Sequence, residues 1–140
     1  AMQQVHATTV DLDGQGVMLR GPSASGKSDL GLRLIDAGAR LVADDRTNLI
    51  VSSDAVQASA PEELAGRMEV RGIGIVAVAA VAETRLALIV DLVDAAEVQR
   101  LPEAETVEVL GVTLPLVRLS AFEASAPAKV WTALMHHSRL

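Results

Sequence analysis

GVMLRGPSASGKSDLGLRLIDAGARLVADD, residues 16–45, holds in one stretch the order of elements that decides the fold. GVMLRG (16–21) predicts a short buried strand. SDLGLRLIDAG (28–38) has apolar residues at 30, 32, 34 and 35 and a stop at Gly38, which predicts a helix. ARLVADD (39–45) predicts a second strand with Asp44 and Asp45 at its C-terminal end. Strand, loop, helix, strand is the order of an α/β protein.

The loop between the first strand and the helix is Gly21-Pro22-Ser23-Ala24-Ser25-Gly26-Lys27-Ser28, which fits G-x-x-x-x-G-K-[ST] at every fixed position. In that pattern successive backbone N–H groups surround a phosphate, and the following helix adds its positive N-terminal end. Lys27 is placed to reach the β- and γ-phosphates of a nucleotide, and the Ser28 hydroxyl to coordinate magnesium. The loop predicts nucleotide binding without naming a reaction.

Outward from this stretch, TNLIVSS (47–53) and AVQASA (55–60) predict strands, and PEELAG (61–66) a short helical turn. EVRGIGIVAV (69–78) combines glycine with β-branched residues. TRLALIVDLV (84–93), TVEVLGV (106–112) and TLPLVRL (113–119) predict further strands, and the alanine-rich end predicts a helix from about Pro127. The chain reads as a single domain over residues 1–140, β-rich, without repeats or long linkers.

Composition narrows the function classes. Half of the residues are hydrophobic, yet Trp131 and Phe122 are the only aromatic ones, so the core is expected to be aliphatic. The net charge of -6, with no Lys or Arg stripe, argues against a nucleic-acid partner. The chain has no cysteine, which excludes disulfides and thiolate metal sites and suits a reducing cytoplasm. AMQQVHATTVDLDG lacks the pattern of a signal peptide, and IGIVAVAAVA (73–82) is too short to span a bilayer, so no membrane partner is expected.

Two strand ends offer an acid to work with the loop. LALIVD ends at Asp91 and LVADD at Asp44 and Asp45, and spacing does not choose between them. A hydrolase needs an acid that orders magnesium or water, whereas a kinase needs a base beside the accepting hydroxyl. Adjacent acids at a strand end point to different sides, so one can face the γ-phosphate while the other contacts a neighbour.

The stretches VHATTVDLDGQGVMLRGPSASGKSDL, RLVADDRTNLI and EVRGIGIVAV, in that order over roughly the first 80 residues, resemble the catalytic domain of HPr kinase/phosphorylase. The chain resembles the short alphaproteobacterial form, which lacks the separate N-terminal domain of longer members. The resemblance implies an α/β nucleotide-binding core of the HPr kinase type, itself akin to that of PEP carboxykinase, with a helix after the loop and a C-terminal helix. It implies transfer of phosphate from ATP, with Mg2+, to a serine of the phosphocarrier HPr. It also implies removal of that phosphate by inorganic phosphate, releasing pyrophosphate, in a cytoplasmic homo-oligomer that is hexameric in the family.

Carried over by position, residues 21–28 bind ATP, Lys27 and His6 are catalytic, and Ser28 is a magnesium ligand. Asp44 takes the serine proton in one direction and returns it in the other, with Asp45 as its support. Glu69, opening EVRGIGIVAV, supplies a second magnesium contact, and Arg71 neutralises charge on the transferring phosphoryl group. Downstream the match thins: Arg118 takes the role of an arginine in a later family loop, while Lys129 falls on the face of the last helix. His136 and His137 are adjacent, so a shared metal site is not expected there. Two other readings remain: a small-molecule kinase or NTPase using Asp91, and an ATP-sensing module without catalysis.

Overall fold

The structure, a computed structural model, describes residues 2–137. The first half contains β1 (Met2–Val5), β2 (Thr8–Leu12), β3 (Gln15–Arg20), α1 (Lys27–Asp36), β4 (Arg40–Ala43), β5 (Thr47–Ser52) and β6 (Ala55–Ser59). The second half contains β7 (Arg67–Val70), β8 (Gly74–Ala77), β9 (Glu83–Leu92), β10 (Glu105–Val109), β11 (Val112–Leu119) and α2 (Ala126–His137). The architecture is mixed α/β and β-rich, with the predicted helix after the loop and a helix at the C-terminal end. No helix among the described residues is long and apolar enough to cross a membrane.

β9 is the organising strand. At ten residues it is about twice the usual strand length. Along one edge it pairs in parallel with β3, setting Met18 opposite Ile89 and Arg20 opposite Asp91. Its other edge is shared. Residues 83–85 pair antiparallel with β6, and residues 89–92 pair in parallel with β11. The order β1-β5-β6-β9-β3-β2-β4 therefore branches at β9 toward β11 and β10.

Alternation of side chains sends the two halves of this aliphatic set to opposite faces. Val17, Leu19, Leu88 and Val90 pack beneath Leu30 and Leu34 of α1 and Val130 and Leu134 of α2. Met18, Ile89 and Leu116 join Leu49, Val56 and Ala58 on the other face. Burial on both faces explains why ALIV in β9 and VML in β3 read as uninterrupted apolar runs.

Three two-residue hairpins hold the antiparallel parts in register. Asp13–Gly14, Ser53–Asp54 and Leu110–Gly111 all have positive φ, between 49 and 87 degrees, as the hairpin turn that matches strand twist requires. The last of these corrects a sequence expectation, because TVEVLGV is not one strand but the end of β10, a turn and the first residue of β11. EVRGIGIVAV folds back on itself as the β7–β8 hairpin, which forms its own two-stranded sheet.

β2 is antiparallel to both β3 and β4, so β3 and β4 run in the same direction. The C-terminal ends of β3, β4, β9 and β11 consequently meet at one edge of the sheet. In open α/β sheets that edge is where ligands bind.

Candidate active site

The glycine-rich loop leaves the end of β3 and enters α1 at Lys27. Gly26 sits at φ 94, a left-handed conformation that suits glycine. A Cβ at Gly26 would also come within 2.6 Å of the Ala121 Cβ, so the loop is packed against the segment after β11. Lys27 is 7% exposed, and its Nζ donates to the carbonyls of Gly21 at 2.7 Å and Pro22 at 3.0 Å. An ammonium has three donors, so one is left for an anion in the loop. Ser25 Oγ is buried with no hydrogen-bond partner. The first amides of α1 have no intrahelical acceptor and point the same way. A cationic donor, an orphaned hydroxyl and free amides around one loop fit a phosphate group.

The two acids behave differently. Both lie beyond the end of β4, where Asp45 adopts φ 68 and so turns away from its neighbour. Asp44 points to the helix start: its Oδ1 accepts from Ser28 Oγ at 2.7 Å and from Thr8 Oγ1 at 3.1 Å. Asp45 instead bonds the Nε2 of His6 through Oδ1, and these side chains are 59% and 57% exposed.

Both Asp45 and His6 line a cleft of about 830 Å³, together with Lys27 and Ser28. Glu69 and Arg71, from the β7–β8 hairpin, line the same cleft, and so does Phe122. A smaller hollow of about 350 Å³ is also lined by His6 and Asp45, together with Arg46. The pair thus borders two spaces, one of them shared with the loop.

Of the residues singled out in the sequence, the structure brings together the loop, Lys27, Ser28, His6, Glu69 and Arg71. Asp44 reaches this group through Ser28 and does not itself line the cleft. Arg118 is not among the lining residues; its guanidinium is bidentate to Glu105 at 3.1 and 3.0 Å. That hydrogen bond holds the Glu105 carboxyl below its usual range. Asp91 is likewise engaged, by Arg20 at 2.7 and 3.0 Å. Lys129 pairs with Glu123 at 2.8 Å, and the His136 and His137 rings meet edge to face with centroids 5.2 Å apart.

Sequence reasoning missed the cleft position of Asp45 and the place of Phe122. A positive φ at an aspartate leaves no mark in the sequence, whereas the rarity of aromatic residues was a usable signal for Phe122.

Among the described residues no group of three or more His, Asp or Glu side chains stands ready to hold a metal ion. Magnesium asks for less, since it commonly takes one or two protein oxygens and completes its shell with water and phosphate. Ser28 and Asp44, with Glu69 across the cleft, are hard oxygen donors of that kind.

The family model described as HPr Serine kinase C-terminal domain matches residues 1–140. The chain is similar over 126 residues to the HPr kinase/phosphorylases of Burkholderia lata and Burkholderia cenocepacia, at 40% identity to each. These matches cover 82% of this chain and 39% of each relative, so the chain spans about two-fifths of their length. The solved HPr(Ser) kinase/phosphatase from Coxiella burnetii is similar with a TM-score of 0.86 and 29% identity, covering 97% of this chain and 96% of that one.

Proposed function

This chain belongs to the HPr serine kinase C-terminal domain family, and from that premise we propose that it transfers the γ-phosphoryl group of ATP to a serine hydroxyl of the phosphocarrier HPr. The reverse half of the reading is phosphorolysis, in which inorganic phosphate takes the phosphoryl group from phosphoserine and leaves as pyrophosphate. One observation carries the proposal: the loop with Lys27, the His6–Asp45 pair and the Glu69–Arg71 hairpin, from three separate parts of the chain, face one cleft.

In this reading residues 21–28 hold the phosphates of ATP, with Lys27 and Arg71 balancing charge on the phosphoryl group in flight. Ser28, Asp44 and Glu69 would hold Mg2+, which would supply neutralisation of phosphate charge when bound. The proton acceptor for the seryl hydroxyl is Asp45 rather than Asp44. Supporting this, Asp45 faces the cleft and is fixed by His6, while Asp44 has its Oδ1 committed to Ser28 and Thr8. In the forward direction the Asp45 carboxylate removes the hydroxyl proton as the new O–P bond forms and the bond to the ADP oxygen breaks. In reverse the protonated carboxyl returns that proton to the serine oxygen as phosphate attacks phosphorus. His6 orients the carboxylate for both directions.

The bidentate hold of Arg20 on Asp91 counts against an NTPase built on Asp91. Assembly into an oligomer and a cytoplasmic setting are further parts of the reading and rest on the family resemblance.

The test is to mix the purified chain with Mg-ATP and HPr and to read intact mass. One added phosphate on a serine, absent with Lys27→Ala, is the expected result. ATP binding with no transfer to HPr would refute the kinase reading and leave an ATP-sensing module.

A further inference from the structure

Phe122, one of two aromatic residues in the chain, is 68% exposed and lines the cleft. Its backbone is far from free. Arg33, near the end of α1, donates to the carbonyl of Glu123 at 3.2 Å and to that of Ala121, the two residues flanking Phe122. The same guanidinium is held by Asp29 at 3.1 and 2.7 Å, one turn back toward the loop. On the other side the ring lies against the loop itself, since a Cβ at Gly26 would meet Phe122 Cζ at 3.0 Å. Ala121 beside it is buried. An exposed ring thus lies against the phosphate loop, on a backbone segment tied to the helix on both sides of it.

A nucleotide whose phosphates fill the loop leaves its nucleoside outside it, in need of a surface. We propose that Phe122 is the stacking face for the base of that nucleotide, and that Arg33 is the positioning residue that holds the ring in place. The inference rests on the nucleotide reading above. Phe122 abuts Gly26 of the phosphate loop, which places its ring beside the site of the nucleotide phosphates. A phenyl face stacks on any base, so the site gives affinity with little discrimination among bases.

The experiment is calorimetric titration of the purified chain with ATP and with inorganic tripolyphosphate, which has the phosphates and no base. Phe122→Ala is expected to weaken ATP about 10-fold, within the range of base stacking, and to leave tripolyphosphate unchanged. Phe122→Trp is expected to keep ATP affinity within about 3-fold, a tryptophan face being as good a platform. Arg33→Gln is expected to weaken ATP as Phe122→Ala does, without further loss in the double variant, and to spare tripolyphosphate.

Equal weakening of both ligands by Phe122→Ala would overturn the proposal, because the ring would then only support the loop. Unchanged ATP affinity with a raised KM for the protein acceptor would overturn it in favour of acceptor docking. Unchanged ATP affinity with binding still lost in Lys27→Ala would sink the stacking alone. If the wild type binds neither ligand, the nucleotide reading falls and the stacking inference with it.

Discussion

Asp44→Asn and Asp45→Asn change neighbouring residues, and the structure expects them to fail in different ways. Asp44 Oδ1 receives two hydrogen bonds, from Ser28 at 2.7 Å and from the buried Thr8 at 3.1 Å. An asparagine can keep its amide oxygen there, so the bonds persist but lose their charge. Bonds to a charged group contribute about 1.5–3 kcal/mol and neutral ones about 0.5–1.5, so the loss is roughly 1 kcal/mol per bond and about 2 in all. For a domain of this size that is on the order of 5–10 °C in Tm. Asp45 has a 59% exposed side chain, and Asp45→Asn is expected to leave stability within about 0.5 kcal/mol. Its cost falls on chemistry: loss of a general base lowers the rate by about 10²–10⁴. The assays are thermal melts and single-turnover transfer to HPr at rising magnesium. Asp44→Asn is expected to melt lower and to recover part of its rate as magnesium is raised, while Asp45→Asn melts normally, binds ATP normally and stays slow. Near-normal turnover in Asp45→Asn beside an irrecoverable Asp44→Asn would refute the assignment and return the proton to Asp44.

Gly26→Ala is expected to lose about 2–5 kcal/mol in urea unfolding, from about 1–2 for a left-handed alanine and about 1–3 for overpacking against Ala121; a loss under about 0.5 would contradict the tight packing of the loop. Asp91→Asn frees Arg20 from its bidentate partner and is expected to cost about 1–2 kcal/mol in the same melts, with transfer kept within about 3-fold. Slower transfer than in Asp44→Asn would make Asp91 the magnesium acid. Arg118→Ala is expected to leave phosphorylation of HPr unchanged, since its guanidinium is paired with Glu105 outside the cleft; loss of the phosphate-dependent reverse reaction alone would restore its catalytic role. His137 has its pKa lowered from 6.5, first by burial and then by the neighbouring His136, so folding favours the neutral ring. Its contribution to stability is present above pH 6.5 and is lost as pH falls from there through the lower folded value. Urea melts between neutral and mildly acidic pH are expected to show a shallower decline in His137→Gln.

The loop and α1 were legible because everything that specifies them is local: fixed glycines, a lysine, an apolar stripe and Gly38 as a stop. Strand pairing is not local, and the branching of β9 toward both β6 and β11 has no signature in its own residues. β1 and β2 went unread for a different reason. Thr8 and Thr9 are fully buried, paired with Asp44 and Thr47, so a core strand carried polar letters at inward positions. The converse happened in EVRGIGIVAV, where Ile73 and Ile75 are 76% and 71% exposed at the hairpin. Apolar letters there mark no buried strand, and Gly72 and Gly74, both at positive φ, allow the chain to reverse. Turn residues without a preference fail in the same way, and Leu110 at φ 49 is one of them.

The direction of β2 explains how a histidine well before the loop comes to stand beside an acid well after it. In an all-parallel order the start of β2 would lie at the far edge of the sheet from the loop. Because β2 runs against both neighbours, its first residues come level with the last residues of the others: Thr8 lies opposite Leu19 of β3, and Thr9 opposite Ala43 of β4. The strand therefore brings Thr8 to Asp44 and the preceding His6 to Asp45 at the place where the loop begins. A register shift between Thr9 and Val10 falls just inside this point, and irregularities of that kind next to functional sites re-aim the side chains beyond them. One antiparallel strand between the loop strand and the acid strand is thus enough to set one acid against the loop serine and the other against an imidazole in the cleft. The two carboxylates can take separate roles because each is fixed by a different residue of that strand or its approach.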